Sequence, residues 1–281
     1  MILVADSGST KTSWALVDGD ATTLTEGLNP LFTSDDRFLA ACDRVRSAFA
    51  LPWPAVEVCF YGAGCGDASQ RSRVEAMLVK GLGTARATVA TDMLGACRAS
   101  CGHRPGVVGI LGTGSNCCCY DGAQISFQAP STGFILGDHG SANHVGRLLL
   151  HDYLSGRMPA DLSRHFLSDF PLSRSQFLDA VYRQPNANRF LASLAPFALR
   201  HADSDYCASL LDASLDAWYE HQLAPCLRLS EASQVCLVGG FAAALASPLR
   251  RFALSHAFSI SSVLANPLQG LLDFHRHPAP R

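Results

Sequence analysis

Residues 4–19 read VADSGSTKTSWALVDG, and residues 109–122 read GILGTGSNCCCYDG. Each stretch predicts an apolar strand, a tight turn of glycine, serine and threonine, a second strand, and an Asp-Gly hairpin turn into a third strand, because Asp-Gly between apolar runs is a strong hairpin signal. Small residues in the first turn let backbone N–H groups approach an anion closely, and hydroxyl groups add donors. The matched pair predicts two turns that face each other across a cleft and hold a polyphosphate.

The composition limits the class of protein. Of 281 residues, 48% are hydrophobic and 16% are charged, so the chain can bury one large core or two of moderate size. A formal net charge of −2 without a long basic run argues against binding along a nucleic-acid backbone. Met1 leads straight into a strand without the basic start of a signal peptide, and no apolar run approaches the roughly 20 residues that span a bilayer. We therefore expect a cytoplasmic protein that binds neither nucleic acid nor membrane.

Eleven cysteines raise the question of disulfides or a metal site. Their number is odd, paired C-x-x-C spacing is absent from the sequence, and many lie inside apolar runs, so we interpret them as reduced, buried thiols. Cys117, Cys118 and Cys119 lie on a predicted strand whose side chains alternate between two faces. These three thiols therefore cannot converge on one ion.

Beyond the opening hairpins, helical and strand patterns alternate. The spacing of apolar residues predicts helices at about 35–50, 69–82 and 92–101, and short apolar runs predict strands at 57–61 and 87–90. The Gly- and Pro-containing segment that follows breaks this pattern. We therefore predict an N-terminal α/β domain over residues 1–103 and a C-terminal α/β domain over residues 104–281.

The second half repeats the plan of the first. It opens with hairpins and is then largely helical from 141 to 230, with strands predicted at 234–238 and 259–264 and a terminal helix at 267–275. This last helix could pack back on the N-terminal domain. The predicted fold class is α/β, with two related domains and a cleft between them, which is a common location for ligands.

Seven short motifs, taken in order, resemble one superfamily nearly end to end. They are DSGSTKT at 6–12, GLNP at 27–30, YGAGC at 61–65, DMLGA at 92–96, LGTGSN at 111–116, GDHGS at 137–141 and VGGF at 238–241. The chain resembles the sugar kinase, heat-shock chaperone and actin ATPases, and within them the N-acetylglucosamine kinase group, in the family shared with benzoyl-CoA reductase ATPase subunits. The resemblance implies two ribonuclease H-like domains with an interdomain cleft for nucleotide and sugar.

Phosphoryl transfer depends on positioning and charge neutralisation more than on covalent chemistry. Backbone amides and small side chains of both turns are candidates to wrap the ATP phosphates, with Lys11 as an added positive charge. The candidate phosphate-binding residues are Gly8, Ser9, Thr10, Lys11 and Thr12 in the first turn and Gly112, Thr113, Gly114 and Ser115 in the second. Neither turn has Walker A spacing or a full G-x-G-x-x-G motif, which argues against a P-loop or a Rossmann dinucleotide site.

Two aspartates follow predicted strands and are candidates for chemistry. Asp6 is placed to hold hydrated Mg²⁺, a hard ion that favours carboxylate and water, although an Asp there can also cap its own turn. Asp92 follows an apolar strand and opens a helix, so its carboxylate can accept the proton of a sugar hydroxyl or cap the helix. Resemblance to the family's catalytic Asp implies the role of general base for Asp92.

Sugar recognition needs several fixed polar groups. By the same resemblance, Asn29, Asn116 and Asp138 match sugar-contacting positions, and Gly239 and Gly240 match the motif that accepts the adenosine. The alternatives are ordinary ones: the two asparagines can be turn residues, Asp138 can cap a helix, and the glycines can serve close helix–strand packing.

One position departs from the family pattern, which usually reads Gly-Asp-Glu-Gly-Ser. His139 stands where the family has Glu, which removes an acceptor charge and adds a group that titrates near neutrality. We expect a working site whose preference among sugars is altered if this side chain lies near the sugar.

The resemblance implies an ATP-dependent kinase that uses ATP and Mg²⁺ to phosphorylate the 6-hydroxyl of an amino sugar. N-acetylglucosamine is the leading substrate, glucosamine and N-acetylmuramate are the alternatives, and a homodimer is one oligomeric state left open. A rival is the ATPase activator of a CoA-ester reductase or dehydratase, although the usual Gly-Gly-Gln-Asp segment is missing around Gly240. A second rival is a sugar-sensing regulator, for which a first strand beginning at Ile2 leaves no room for preceding DNA-binding helices.

Overall fold

The structure is a computed structural model that describes residues 1–8, 10–230 and 234–277. Its internal contacts divide the chain into two compact units. Unit 1 comprises Met1–Pro105 and Tyr120–Ile125 together with the segment from Asn266 onward, and unit 2 comprises Gly106–Cys119 and Ser126–Ala265. Each unit contains its own sheet and its own hydrophobic core.

The first sheet belongs to unit 1 and contains five strands. They are β1 (Ile2–Ser7), β2 (Lys11–Leu16), β3 (Thr22–Glu26), β4 (Glu57–Gly62) and β5 (Arg86–Thr91). The strand order is β3-β2-β1-β4-β5, with antiparallel hairpins on one side and parallel β1, β4 and β5 on the other. The register aligns Ser7 with Gly62 and Gly62 with Thr91, so the carboxyl ends of the three parallel strands share one edge.

The second sheet repeats this order. Its strands are β6 (Gly106–Leu111), β7 (Ser115–Tyr120), β8 (Ile125–Gln128), β9 (Gln234–Val238) and β10 (Ser259–Leu264), in the order β10-β9-β6-β7-β8. Strand β9 pairs in parallel with both β6 and β10. In both sheets the first strand of the set is flanked by the second and the fourth, so the prediction of two related α/β folds is confirmed.

Helices surround both sheets. In chain order they are α1 (Asp35–Ala48), α2 (Ala68–Leu82), α3 (Asp92–Cys101), α4 (Gly133–Leu136), α5 (Ala142–Leu154), α6 (Ala160–Asp169), α7 (Arg174–Tyr182), α8 (Ala187–Arg200), α9 (Asp205–Trp218), α10 (Ala224–Leu229), α11 (Gly240–Ala244), α12 (Ala246–Ser255) and α13 (Leu268–Arg276). A short 3₁₀ turn covers Trp53–Ala55, and a π-helical turn covers Tyr219–Leu223 between α9 and α10. In the part of the chain that the structure describes, no helix is both long and apolar enough to cross a membrane.

Local sequence signals account for the helix ends. Helix α2 begins after Asp67, whose Oδ1 accepts from the backbone N–H of Ser69 at 2.7 Å, and it ends at Gly83, whose φ of 72° suits a left-handed cap. Its apolar residues recur on one face and pack into the core of unit 1 around Trp14 and Phe60. The eleven cysteines all lie within the described ranges; they are reduced, and ten of them are buried.

Helix α13 packs against α3, β1 and β2 within unit 1. The Tyr61 hydroxyl accepts from Nη1 of Arg98 on α3 at 2.9 Å and bonds Nε2 of His275 on α13 at 3.0 Å. The Arg98 guanidinium also lies over the rings of Tyr61 and Phe274, 5.7 and 5.0 Å from their centres. Because α3 begins with Asp92, this packing fixes the helix that carries a predicted catalytic residue.

The close approach of α13 to α3 depends on Gly270. A Cβ atom at this position would lie 2.2 Å from the backbone oxygen of Ala99, which cannot move without moving α3. We predict that Gly270→Ala lowers the free energy of unfolding by about 1–3 kcal/mol, measured by urea denaturation. Gly66→Ala is the control, because a Cβ atom there meets nothing within 4 Å. Equal stability of the two variants would contradict this packing.

Candidate functional site

The first turn lies at the carboxyl edge of the first sheet. The N–H of Gly8 donates to the backbone oxygen of Lys11 at 3.0 Å and closes the hairpin, while the oxygen of Thr10 accepts from the N–H of Gly27 at 3.0 Å. The predicted phosphate-binding residue Ser9 lies outside the described residues. Lys11 is exposed at the start of β2.

The base of this turn is held by hydroxyl groups that lie beneath it. The Ser7 and Thr12 hydroxyls are both buried and are 2.8 Å apart. Thr12 also donates to the backbone oxygen of Glu26 at 2.9 Å, and Ser7 accepts from the N–H of Leu28 at 3.1 Å. The Thr12 hydroxyl therefore serves the fold of the turn, whatever its backbone N–H contacts.

Asp6 and Asp92 lie at this same edge and influence each other electrostatically. Burial raises the pKa of Asp6 to about 7; the negative charge of Asp92 adds to the rise, and the positive charge of Lys11 opposes it. Burial also raises the pKa of Asp92, against the hydrogen bond that its Oδ1 accepts from the N–H of Met93 at 2.9 Å. Two carboxylates that disfavour each other's charge are a typical arrangement at functional sites.

The capping role considered for Asp92 belongs to its neighbour. Thr91 is the N-cap of α3, and its Oγ1 accepts from the N–H of Leu94 at 3.1 Å. Asp92 is the first helical residue, where a negative charge is favoured by the helix dipole. The carboxylate of Asp92 is therefore not needed as the cap of α3.

The Asp6–Asp92 pair fits a hard divalent cation. Burial and, to a smaller extent, the charge of Asp92 raise the pKa of Asp6, and a cation beside the carboxylates would offset both effects. Among residues 1–8, 10–230 and 234–277, no group of three or more His, Cys, Asp or Glu side chains is arranged to hold a metal ion. Mg²⁺ does not require such a group, because it is usually held by one or two carboxylates, water and substrate phosphates.

Asn29 is nearly buried in a turn of unit 1. Its Oδ1 accepts from the N–H of Leu31 at 2.9 Å, and its backbone oxygen accepts from the N–H of Thr33 at 2.9 Å. Gly64 lies against the Asn29 amide, since a Cβ atom there would be 2.2 Å from Oδ1. The turn thus orients Asn29 at a fixed position, and its predicted contact with the sugar stays a prediction.

The second turn lies in unit 2 and is held by Asp138 and Asn143. Oδ1 of Asp138 accepts from the N–H of Ser115 at 3.3 Å, and Oδ2 accepts from Nδ2 of Asn143 at 2.8 Å. Nδ2 of Asn143 also donates to the backbone oxygen of Thr113 at 2.6 Å, and the Ser115 hydroxyl donates to the backbone oxygen of His139 at 2.7 Å. The motif at 137–141 and the start of α5 therefore fix the shape of this turn.

Asn116 follows this turn on β7. It is partly exposed, and its Oδ1 accepts from the N–H of Cys117 at 2.9 Å.

Asp138 has a backbone φ of 52°, which is uncommon for a residue with a side chain and is better tolerated by Asp than by most other residues. Such backbone strain is found disproportionately at functional sites.

The site glycines divide into two kinds. A Cβ atom on Gly114 would lie 2.7 Å from Oδ2 of Asp138, and one on Gly239 would lie 2.3 Å from the backbone oxygen of Leu111, so the fold itself requires these two glycines. At Gly8 and Gly112 the nearest atom would be 3.8 and 3.9 Å away. Gly240 is open like Gly8 and Gly112, because a Cβ atom there would meet nothing within 4 Å. At these three open positions the fold leaves room for a side chain, and close approach of a ligand gives a separate reason for glycine.

His139, the departure from the family pattern, is half-buried in unit 2. Its ring stacks on that of His221, with centroids 4.5 Å apart and planes inclined by 27°. Burial and the neighbouring His221 and Arg147 lower the pKa of His139. His144 lies edge-on at 5.2 Å, and burial lowers its pKa to about 4.

Several supporting residues escaped the sequence analysis. Asn143 lies two residues after the motif GDHGS, which was a usable signal, and Ser7 lies inside the motif at 6–12 but was not named as a site residue. His221 could not be connected with His139, because 82 residues separate them in the sequence. A π-helical turn leaves no periodic pattern that identifies it beforehand.

No protein-family model and no curated protein sequence matches the chain. Among solved structures, the chain is similar to a candidate N-acetylglucosamine kinase from Porphyromonas gingivalis, with 34% identity, a TM-score of 0.91 and 98% of each chain covered. A candidate N-acetylglucosamine kinase from Chromobacterium violaceum is 24% identical, with a TM-score of 0.77 over 97% of this chain and 98% of that one. A ROK family glucokinase from Streptomyces griseus, solved with glucose and AMPPNP, is 15% identical, with a TM-score of 0.60 over 97% of each chain. The last two share the fold with this chain.

The two glycines of the second turn give a matched test of this geometry. We predict that Gly114→Ala lowers the free energy of unfolding by about 1–3 kcal/mol, because the new methyl group displaces the Asp138 carboxylate from its hydrogen bonds. Gly112→Ala has room for its methyl group and should stay within about 0.5 kcal/mol of the parent. Denaturant unfolding of both variants measures the difference. A Gly114→Ala protein as stable as Gly112→Ala would show that Asp138 does not hold the turn.

Proposed function

The chain belongs to the N-acetylglucosamine kinase group of the sugar kinase, heat-shock chaperone and actin ATPase superfamily, and from this premise we propose that it is an ATP-dependent sugar kinase. Its proposed reaction is transfer of the terminal phosphoryl group of ATP to the 6-hydroxyl of an amino sugar. N-acetylglucosamine is the leading candidate. The observation that carries the proposal is the pair of carboxylates, Asp6 and Asp92, at the sheet edge that also carries the open Gly8 turn.

Asp92 is proposed as the general base. The attacking sugar hydroxyl must lose its proton, and a carboxylate within hydrogen-bond reach can accept it. Burial raises the pKa of Asp92 above its ordinary value, which makes the carboxylate a stronger proton acceptor. Thr91 caps α3 in its place, so the Asp92 carboxylate can act without releasing a helix end.

Asp6 is proposed to hold the magnesium ion that accompanies ATP. When bound, Mg²⁺ neutralises phosphate charge and helps to orient the terminal phosphoryl group. Lys11, which is exposed beside Asp6, supplies a further positive charge near the phosphates. The rest of the phosphate contact is assigned to backbone amides of the two turns, where the open positions Gly8 and Gly112 let an anion come close to the backbone.

Sugar and adenosine are assigned to the remaining motif residues. Asn29 and Asp138 are both held in fixed orientations by hydrogen bonds, which suits polar recognition of a sugar, and Asn116 is assigned to the same role. Gly240 is open and exposed, so an adenosine can approach its backbone, whereas Gly239 is needed for the approach of β9 to β6.

The direct test is ADP release by the purified full chain in the presence of ATP, Mg²⁺ and a panel of amino sugars. We expect turnover with N-acetylglucosamine, with glucosamine and N-acetylmuramate as comparisons, and identification of the product by mass as a sugar 6-phosphate. ADP release without any sugar dependence would instead indicate an ATPase. Failure of every sugar to stimulate ADP release would overturn the proposal.

Asp92→Asn tests the general base. We predict a fall in kcat of about 10²–10⁴-fold, the usual contribution of acid–base catalysis, with little change in the affinity for sugar or ATP. The exposed Asp43→Asn substitution on α1 makes the same chemical change away from the edge and serves as control. Near-normal turnover in a folded Asp92→Asn protein would remove Asp92 from the mechanism.

Gly8→Ala and Gly112→Ala test phosphate contact by the open glycines. Each methyl group fits the fold but blocks the approach of an anion to the backbone, so nucleotide affinity should fall about tenfold or more, as expected for loss of one hydrogen bond to a charged group. Calorimetry with a non-hydrolysable ATP analogue measures this loss, and sugar affinity should be unchanged. Gly66→Ala is the control, and unchanged nucleotide affinity in both turn variants would contradict the assignment.

A further inference from the structure

Three histidines of unit 2 form a cluster, made of His139, His144 and His221. They come from three different elements, namely the segment before α5, α5 itself and the π-helical turn. His139 lies between the other two rings, stacked on His221 at 4.5 Å and edge-on to His144 at 5.2 Å. His221 is exposed and His144 is buried, so the cluster runs from the surface of unit 2 into its interior.

Two nitrogen atoms in and beside this cluster are buried without hydrogen-bond partners among the described residues. They are Nδ1 of His139 and Nε of the neighbouring Arg147. By contrast, Nδ1 of His144 accepts from the N–H of Gly140 at 3.3 Å and pairs with the Ser214 hydroxyl at 2.8 Å. Native proteins rarely leave buried polar atoms unpaired, and an unfilled ligand site is one explanation.

The charges that face His139 determine what such a ligand can be. Arg147 on α5 is positive, while Asp138 beside it and Glu220 on the π-helical turn are negative. The Asp138 carboxylate is already paired with Ser115 and Asn143, and Glu220 is exposed to solvent. The unpaired nitrogen atoms of His139 and Arg147 therefore lie next to a fixed positive charge, and the unpaired oxygen atoms nearby, Oδ1 of Asn143 and Oε1 of Gln222, belong to neutral amides.

We propose that His139, His221 and Arg147 form a subsite for a small oxyanion. The two chemical sources of such an oxyanion are a carboxylate carried by the acceptor sugar and free inorganic phosphate. The sugar source rests on the proposed kinase function, because Asp138, the neighbour of His139, is assigned to the sugar. The phosphate source does not depend on it.

The π-helical turn is the element that makes this subsite. A π turn accommodates one residue more than an α turn, and such turns occur frequently at functional sites. Here it continues α9 and brings His221 over the His139 ring. The turn thus contributes the His221 ring to the cluster.

Proton uptake should accompany anion binding. Burial, His221 and Arg147 lower the pKa of His139, and burial lowers that of His144 to about 4, so both rings are neutral near pH 7. A bound oxyanion favours protonated imidazole and thereby raises these pKa values. The affinity for an oxyanion should therefore increase as the pH falls toward the pKa of the free His139 ring, which lies below the ordinary histidine value of about 6.5, and should level off below that pKa.

Calorimetry on the full chain tests the subsite with three probes: inorganic phosphate alone, N-acetylmuramate, which carries a carboxylate, and N-acetylglucosamine, which does not. We expect phosphate and N-acetylmuramate to bind more tightly as the pH falls, by about tenfold per pH unit over the range in which binding takes up one proton. The affinity for N-acetylglucosamine should not change in this way. Binding of phosphate without preference for N-acetylmuramate over N-acetylglucosamine supports the subsite with phosphate as its source. Absence of pH-dependent binding for both anionic probes would overturn the proposal.

Substitutions distinguish this subsite from a general charge effect. His139→Gln and Arg147→Met, which keeps the stem of Arg147, should each weaken oxyanion binding about tenfold or more while N-acetylglucosamine binding is unchanged. His165→Gln, on the exposed face of α6, is the matched control. If His139→Gln fails to fold in a thermal unfolding test, His221→Gln replaces it because the His221 ring is exposed. Folded variants that bind both anions as the parent does would overturn the subsite.

The kinase assay separates this proposal from the proposed function. Loss of ADP release with every sugar, together with intact phosphate binding at the cluster, would contradict the kinase function and leave the subsite standing. Turnover of N-acetylglucosamine without any oxyanion binding would contradict the subsite and leave the kinase function standing.

Discussion

The rest of the site depends on the Asp138 carboxylate, because it holds the second turn in shape. It accepts hydrogen bonds from the Ser115 N–H and from the Asn143 side-chain amide. A turn that binds an anion through its backbone cannot use all its own amides to hold its shape, so other segments must hold it. In unit 1 the buried Ser7 and Thr12 hydroxyls do the same for the first turn. The two units thus hold their turns with different side chains: hydroxyl groups at the base of the turn in unit 1, and Asp138 and Asn143 from another segment in unit 2.

The edge of the first sheet brings two carboxylates together. Strands β1, β4 and β5 are parallel, and Ser7 and Thr91, the last residues of β1 and β5, lie at the same level. Asp6 precedes Ser7 and Asp92 follows Thr91, so two carboxylates that are 86 positions apart in the sequence come to the same edge. Their partial burial raises both pKa values, and Thr91 takes over the capping of α3. Thr91 is the N-cap of α3, and the Asp92 carboxylate accepts a hydrogen bond from the Met93 N–H without being the cap.

Much of this arrangement could be predicted from the sequence. The two hairpins, the strands at 234–238 and 259–264 and the helices that follow the parallel strands all have strong local patterns, since Asp-Gly turns and apolar periodicity are encoded by neighbouring residues. Long-range contacts were not predictable in the same way. Asn143 and His221 acquire their partners only through tertiary packing, and α4 and the π-helical turn are too short to leave a periodic signal.

Backbone strain at Asp138 distinguishes the part of the motif at 137–141 that the fold requires from the part that can vary. A left-handed φ of 52° on a residue with a side chain costs on the order of 1–3 kcal/mol. Each hydrogen bond to a carboxylate contributes about 1.5–3 kcal/mol, so the bonds from Ser115 and Asn143 together offset that cost. Asp138 is therefore fixed by the fold, and replacing it would release the second turn as well as any sugar contact.

The His139 side chain does not hold the turn: its ring contacts other rings, and its Nδ1 has no hydrogen-bond partner among the described residues. Variation in ligand preference can therefore occur at His139 without loss of the turn on which phosphate binding is proposed to depend.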